Sequence, residues 1–219
     1  MDPKEVVSQF VVNKLKEYQI IGLGTGRTVK KLIEILEKEK LIQGKYFVAS
    51  SIDTELEISK RDGVVLSLFS GVKPQIYIDS FDYVTSDKIM IKGGGAALLR
   101  EKMLYYFSST KIFIGEETKL KDQKEYLVPL EVVHVGLSYV ISDLKKQGYE
   151  IKIRESNGKI GPIISDNGNP ILDVKVKREE LCEFEKKIKF IPSVIESGIF
   201  CGKDYEIYLA NEDGRVTIL

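Results

Sequence analysis

From Val6 to Gly115, short apolar runs take turns with stretches of helical periodicity, and few folds accommodate that rhythm. Val6, Val7, Phe10, Val11 and Leu15 recur at the spacing of one helix face, and "QIIGL" (19–23) follows as a short apolar strand ending in glycines. Val29, Leu32, Ile33 and Leu36 mark a second helix, "KYFVAS" (45–50) a second strand, and "DTELEISKRDG" a third helix. The runs "VVLSLF" (64–69), "QIYID" (75–79) and "KIFIG" (111–115) read as further strands, with a helix over 96–107 before the last. Strands that alternate with helices call for a parallel sheet, because each parallel connection must cross over and a helix does so while covering the sheet.

Around Val128 the rhythm changes. "PLEVVHVG" reads as a strand, "LSYVISDLKKQG" as a helix and "YEIKIRE" as an alternating strand. "GPIISDNGNPILDVKV" pairs two β-rich runs across Asn167-Gly168, which supplies the positive φ angles of a tight turn, and "REELCEFEKKIKF" is helical again. A β-α-β-β-α-β order fits a ferredoxin-like unit. "YEIYLA" and "RVTIL" close the chain as strands, expected to return to the first sheet or its edge. The chain is therefore expected to be α/β. A Rossmann-like, mainly parallel sheet flanked by helices would occupy 1–126, completed by 203–219, and a smaller α+β ferredoxin-like domain would occupy 127–202.

Lys plus Arg and Asp plus Glu both number 33, so no global field draws the chain to nucleic acid or an anionic membrane. No apolar run nears the roughly 18 residues of a membrane span, and "MDPKEVVSQF" has no signal-peptide core. Cys182 and Cys201 are too few for a disulfide framework and read as small packing groups, so a cytoplasmic location is expected. The single histidine, His134, reads as a satisfied or surface residue. With no His/Cys ligand set, no metal is expected, and any chemistry rests on Asp, Glu and Lys.

Three loops carry candidate chemistry. "GLGTGRT" (22–28) joins a strand to a helix, where backbone N–H groups and the helix N-terminus face an anion. A dinucleotide fingerprint wants glycine at 27, where Arg27 stands, and an acid after the second strand, where Ser50-Ser51 stands. The loop is then either a ligand-free tight turn or a seat for one phosphate. "YIDSFDYV" (77–84) sets Asp79 and Asp82 beyond an apolar strand, as a proton-handling pair or as a cap and a solvated turn. "IKGGGAALLREK" (91–102) places Lys92 before three consecutive glycines and Glu101 on the helix that follows. Bare amides beside a lysine make a corner that stabilises developing negative charge, with Glu101 as a general base. A glycine-rich turn before a solvated helix face is the plain reading.

Taken in order, these segments resemble ribose-5-phosphate isomerase of the type A family. "GLGTGRT" is similar to its G-x-G-T-G-S-T loop, "IDSFD" to its D-G-A-D segment, and "KGGGAALLREK" to a near-identical motif. "IGEETK" is similar to its lysine-ended strand and "SDNGNPILDV" to its D-N-G-N-x-I-L-D hairpin; the order agrees from about Lys4 to Leu219. The resemblance implies interconversion of D-ribose 5-phosphate and D-ribulose 5-phosphate through a cis-enediolate. Glu101 would be the base, its pKa raised by burial from the free value near ~4.3. Lys92 and the amides of Gly93, Gly94 and Gly95 would stabilise the enediolate oxygen. Asp79 would open the furanose and relay protons between O1 and O2, and Asp82 would orient Lys92 or a hydroxyl. Thr25, Gly26, Arg27 and Thr28 would hold the phosphate, with Lys119 and Lys4 adding charge. Only protons move, so no cofactor is implied; the implied partners are a sugar phosphate and further copies of the chain, as a homodimer or homotetramer.

The departures from the family pattern fall at the ligand. Arg27 stands where the family has serine, Ser80-Phe81 where it has Gly-Ala, and Tyr83 where an acid follows. Ser80 and Phe81 join the candidate substrate contacts, and the bulk of Phe81 is expected to bear on sugar preference. Two rivals remain: a sugar-phosphate-binding regulator that has lost turnover, and an acyl-CoA transferase with Glu101 as nucleophile.

Overall fold

In the computed structural model, which describes residues 1–219, seven strands share one sheet. Their order is Val216–Ile218, Glu206–Ala210, Thr110–Glu116, Ile76–Asp79, Ile20–Leu23, Tyr46–Ala49 and Val64–Val65. Every pairing is parallel except that of the edge strand Val216–Ile218. The closing strands thus return to the first sheet, Glu206–Ala210 lying beside Thr110–Glu116. The sheet belongs to a unit built from Met1–Phe81, Arg100–Leu120 and Gly202–Leu219. Strand Ile76–Asp79 is buried at every position, as a strand covered on both faces must be. Val7 and Val11 of helix Pro3–Val12 and Leu32 and Leu36 of helix Arg27–Lys38 share one core with Ile21, Leu23, Ile78 and Ile112. Each such side chain contributes about 1.5–3 kcal/mol by leaving water.

The sheet order matters more for function than its size. From Ile20–Leu23 the chain moves to one side, to Tyr46–Ala49, and later comes back on the other side as Ile76–Asp79. The segments leaving the carboxyl ends of those two neighbours diverge, and in open α/β sheets that crevice is where ligands bind. "GLGTGRT" and "IDSFD" begin there.

A second unit, Asp82–Leu99 with Lys121–Cys201, carries an antiparallel sheet in the order Val194–Ser197, Glu125–Val132, Ile171–Lys177, Ile151–Ile153. Helices Leu137–Lys146 and Leu181–Ile188 complete the β-α-β-β-α-β pattern. Alternate residues Tyr126, Val128, Leu130 and Val132 meet Leu172, Val174 and Val176 in its core, with Leu144 and Phe184 from the helices. The overall class is α/β, a mainly parallel sheet plus smaller antiparallel ones. Residues 82–99 group with this unit although they precede 127, because Met90–Ile91 pairs with both Tyr83–Val84 and Ile199–Phe200.

Three local expectations need correction. "VVLSLF" forms a strand only at Val64–Val65; Ser67 Oγ then accepts from the Phe69 amide at 3.2 Å and turns Leu68–Ser70 into a 3₁₀ turn. In the "DNGN" turn Gly168 alone has a positive φ, 84°, because Gly168 N–H bonds back to Ser165 at 2.9 Å and one left-handed residue closes the loop. Cys182 and Cys201 are joined in a disulfide across 5.8 Å between Cα atoms. Folding brings helix Leu181–Ile188 against the segment after Ile199–Phe200, a proximity that a separation of 19 residues does not reveal.

Candidate active site

In the first unit the site is organised around Asp79, at the carboxyl end of its strand and fully buried. Its Oδ1 accepts from Ser80 N at 2.6 Å and Thr25 N at 3.2 Å, and its Oδ2 accepts from the Tyr77 hydroxyl. Tyr77 stands two residues earlier on the same strand and therefore on the same face. The carboxylate lies so close to the glycine loop that a Cβ on Gly24 would fall 1.8 Å from Asp79 Cγ. Thr25 Oγ1 lies 2.7 Å from Ser50 Oγ and 2.8 Å from Ser51 Oγ, while Thr54 donates to the Gly24 carbonyl at 2.7 Å.

Glu101, in the first turn of helix Leu98–Phe107, is 3% exposed. Burial, with the charges of Asp79 and then Glu101, holds the Tyr77 phenol well above its ordinary value. Tyr77 therefore stays protonated and keeps donating to Asp79 at any working pH. Two carboxylates and a phenol thus share one buried neighbourhood, the arrangement expected of a site that handles protons.

Helix Arg27–Lys38 begins at Gly26, whose φ of 122° favours glycine, and no side chain caps it. Its first amides and its dipole are suited to an anion. Thr28 is buried and Arg27 is exposed, while Ser80 Oγ sits 3.5 Å from where a Gly26 Cβ would be. Lys119 Nζ donates to the Phe81 carbonyl at 2.6 Å, and Lys4 pairs with Glu116 at 2.7 Å. Phe81 turns its ring inward, and a Cβ on Gly115 would lie 2.7 Å from Phe81 Cζ. The absent side chain at 115 makes room for the ring.

The second unit holds Asp82, Lys92 and the three glycines. Lys92 is 2% exposed, with Nζ 5.9 Å from the centre of the Phe200 ring and its amide bonded to Gly198 O at 2.8 Å. Gly93 has a φ of 97°, and a Cβ there would press on Pro129 at 3.0 Å. Gly94 donates to Asp82 Oδ2 at 2.8 Å, and its own Cβ would meet Oδ1 at 2.9 Å. Two of the three glycines are thus required by the protein's own groups. No cluster of three or more His, Cys, Asp or Glu side chains has a metal-binding arrangement.

The model of the ribose 5-phosphate isomerase A (phosphoriboisomerase A) family matches residues 46–214. The ribose-5-phosphate isomerase A of Korarchaeum cryptofilum is 34% identical over 203 residues, covering 91% of this chain and 89% of that protein. This chain belongs to the ribose 5-phosphate isomerase A family.

The same family protein of Borreliella afzelii is 36% identical over 214 residues, covering 93% of each chain. The solved isomerase A from Methanocaldococcus jannaschii superposes with a TM-score of 0.91 at 30% identity, covering all of this chain and 98% of that one. A D-ribose-5-phosphate isomerase in complex with phospho-erythronic acid also gives 0.91 at 30% identity, covering all of this chain and 97% of that one. Against the family motifs, Tyr77 is the residue that reading by sequence missed. Its position two before Asp79 on one strand was the signal available.

Proposed function

We propose that this member of the isomerase A family interconverts D-ribose 5-phosphate and D-ribulose 5-phosphate through a cis-enediolate. The supporting observation is the buried group of Asp79, Tyr77 and Glu101 at the divergence of the parallel strands. Glu101 takes the proton from C2 of the open-chain aldose and returns it to C1, as O2 loses a proton and O1 gains one. Asp79 serves ring opening and the transfer between the oxygens. Lys92 and the amides of Gly93 and Gly95 stabilise the charge on the enediolate oxygen, while the Gly94 amide, expected to join them, is taken by Asp82 at 2.8 Å. Asp82 holds the Gly94 amide, and Thr25, Gly26, Arg27 and Thr28 with Lys4 and Lys119 bind phosphate. Ser80 and the Phe81 backbone carry the sugar side of the loop.

A doubly charged sugar phosphate does not cross membranes unaided, so the working compartment is the cytoplasm. We infer assembly as a homodimer or homotetramer, in keeping with Val135 and Tyr139, one turn apart and 77% and 81% exposed. Light scattering that returns one chain's mass refutes it.

The deciding experiment incubates the purified protein with ribose 5-phosphate in EDTA and follows ribulose 5-phosphate. Turnover unaffected by chelator is expected. Binding without turnover would favour a regulator, and activity that vanishes in EDTA and returns with magnesium would refute the metal-independent mechanism.

A further inference from the structure

The hairpin that closes on Asp173 has no part in the chemistry described so far. Its carboxylate receives a two-pronged pair from Arg154, with Nε donating to Oδ2 at 2.9 Å and Nη2 donating to Oδ1. The third corner of the guanidinium reaches the glycine loop, where Nη1 donates to Gly93 O at 2.7 Å and to Gly94 O at 3.2 Å. All of these residues belong to the second unit. Arg154 and Asp173 are mostly buried, with side chains 15% and 17% exposed. The carboxylate offsets the guanidinium charge, so the pair is a poor candidate for drawing in a phosphate.

Resting on the isomerase reading above, we propose that Arg154, held by Asp173, is the positioning residue that orients the amide of Gly95 for the enediolate. Every peptide in the chain is trans, so a carbonyl fixed on one side sends the following N–H to the other. Gly93 O, which the Ala96 amide also reaches at 3.0 Å, lies on the Arg154 side, and the Gly94 N–H is turned the other way and committed to Asp82 Oδ2 at 2.8 Å. Holding Gly94 O turns the Gly95 N–H away in the same manner. Glycine has no side chain to bias these planes, so the bonds made by their carbonyls and N–H groups set them. An amide stabilises a developing oxyanion only when aimed beforehand, and the bond to Gly94 O supplies the aim for the Gly95 N–H. A planar fork is needed to reach Asp173 and two carbonyls together, which an ammonium cannot do.

The test compares the full-length wild type with Arg154→Met and Arg154→Lys in steady-state turnover of ribose 5-phosphate. Both variants are expected to lower kcat by roughly 10- to 100-fold, below the loss of a whole oxyanion donor, with KM changed less than about threefold. Affinity for phospho-erythronic acid, whose planar carboxylate resembles the enediolate, should fall with kcat. Guanidinium ion added to Arg154→Ala should restore part of kcat, which a merely structural role would not give. Amide hydrogen exchange at Gly95 should quicken in the variants, more than at Gly94, whose N–H Asp82 still holds. If these variants do not fold, Asp173→Asn, which keeps the shape and weakens the anchor, should show the same kcat loss with unchanged KM. Wild-type kcat in a folded Arg154→Met, or a change confined to KM, overturns the role. A wild type that makes no ribulose 5-phosphate overturns the isomerase reading itself, whereas unaltered exchange at Gly95 refutes the anchoring alone.

Discussion

The proposed role of Glu101 as the base is tested by Glu101→Gln, which preserves the shape of the side chain. Its kcat should fall by at least ~10²-fold while the sugar phosphate still binds, because the amide cannot accept the proton. An unchanged kcat would remove Glu101 from the mechanism. Asp79 is held by three donors, so it cannot yield to a neighbour's added atom. Gly24→Ala would set a methyl 1.8 Å from its Cγ, and overpacking of this kind costs about 1–3 kcal/mol. The variant should melt lower and lose kcat together; native melting with full activity would contradict the packing. At this scale the sequence was informative about acids and glycines but not about their supports. Asp79, Lys92 and Glu101 stand out because charge next to apolar runs needs a reason. Tyr77 hides inside an apolar strand, and Arg154 stands 61 positions from the Gly93 carbonyl it holds.

Elements with long periodic patterns were legible, and the two-residue strands around Lys92 were not. Helix Arg27–Lys38 shows its apolar stripe directly, and strand Glu125–Val132 alternates. Tyr83–Val84, Met90–Ile91 and Ile199–Phe200 have no period to read; each is defined only by its partner. These short strands nonetheless lead into Lys92, and the residue following Phe200 is tied to helix Leu181–Ile188 by the Cys182–Cys201 bond. Cross-linking a loop of this length restricts the unfolded chain by about 3 kcal/mol. Replacing both cysteines by serine, or reducing the bond with dithiothreitol, should lower Tm by roughly 6–12 °C. Identical melting curves would mean that the bond restrains nothing.

At the scale of the molecule, the parallel sheet and the antiparallel α+β unit could be anticipated from rhythm alone, since period and turn chemistry are local. Where the chain passes from one unit to the other could not, because that depends on which distant strands pair. The first unit is assembled from three separate stretches, the last being Gly202–Leu219. A fragment ending at Cys201 lacks strand Glu206–Ala210 and leaves the edge of Thr110–Glu116 bare. It should fail to melt cooperatively and should aggregate; a soluble, sharply melting fragment would disprove the dependence. The same arrangement has a consequence for biosynthesis. The second unit has all of its residues once position 201 has been synthesised, whereas the parallel sheet still waits for Glu206–Ala210 and Val216–Ile218. The unit that begins first is thus completed last, and the half that carries Glu101 matures only after strand Glu206–Ala210 has been made.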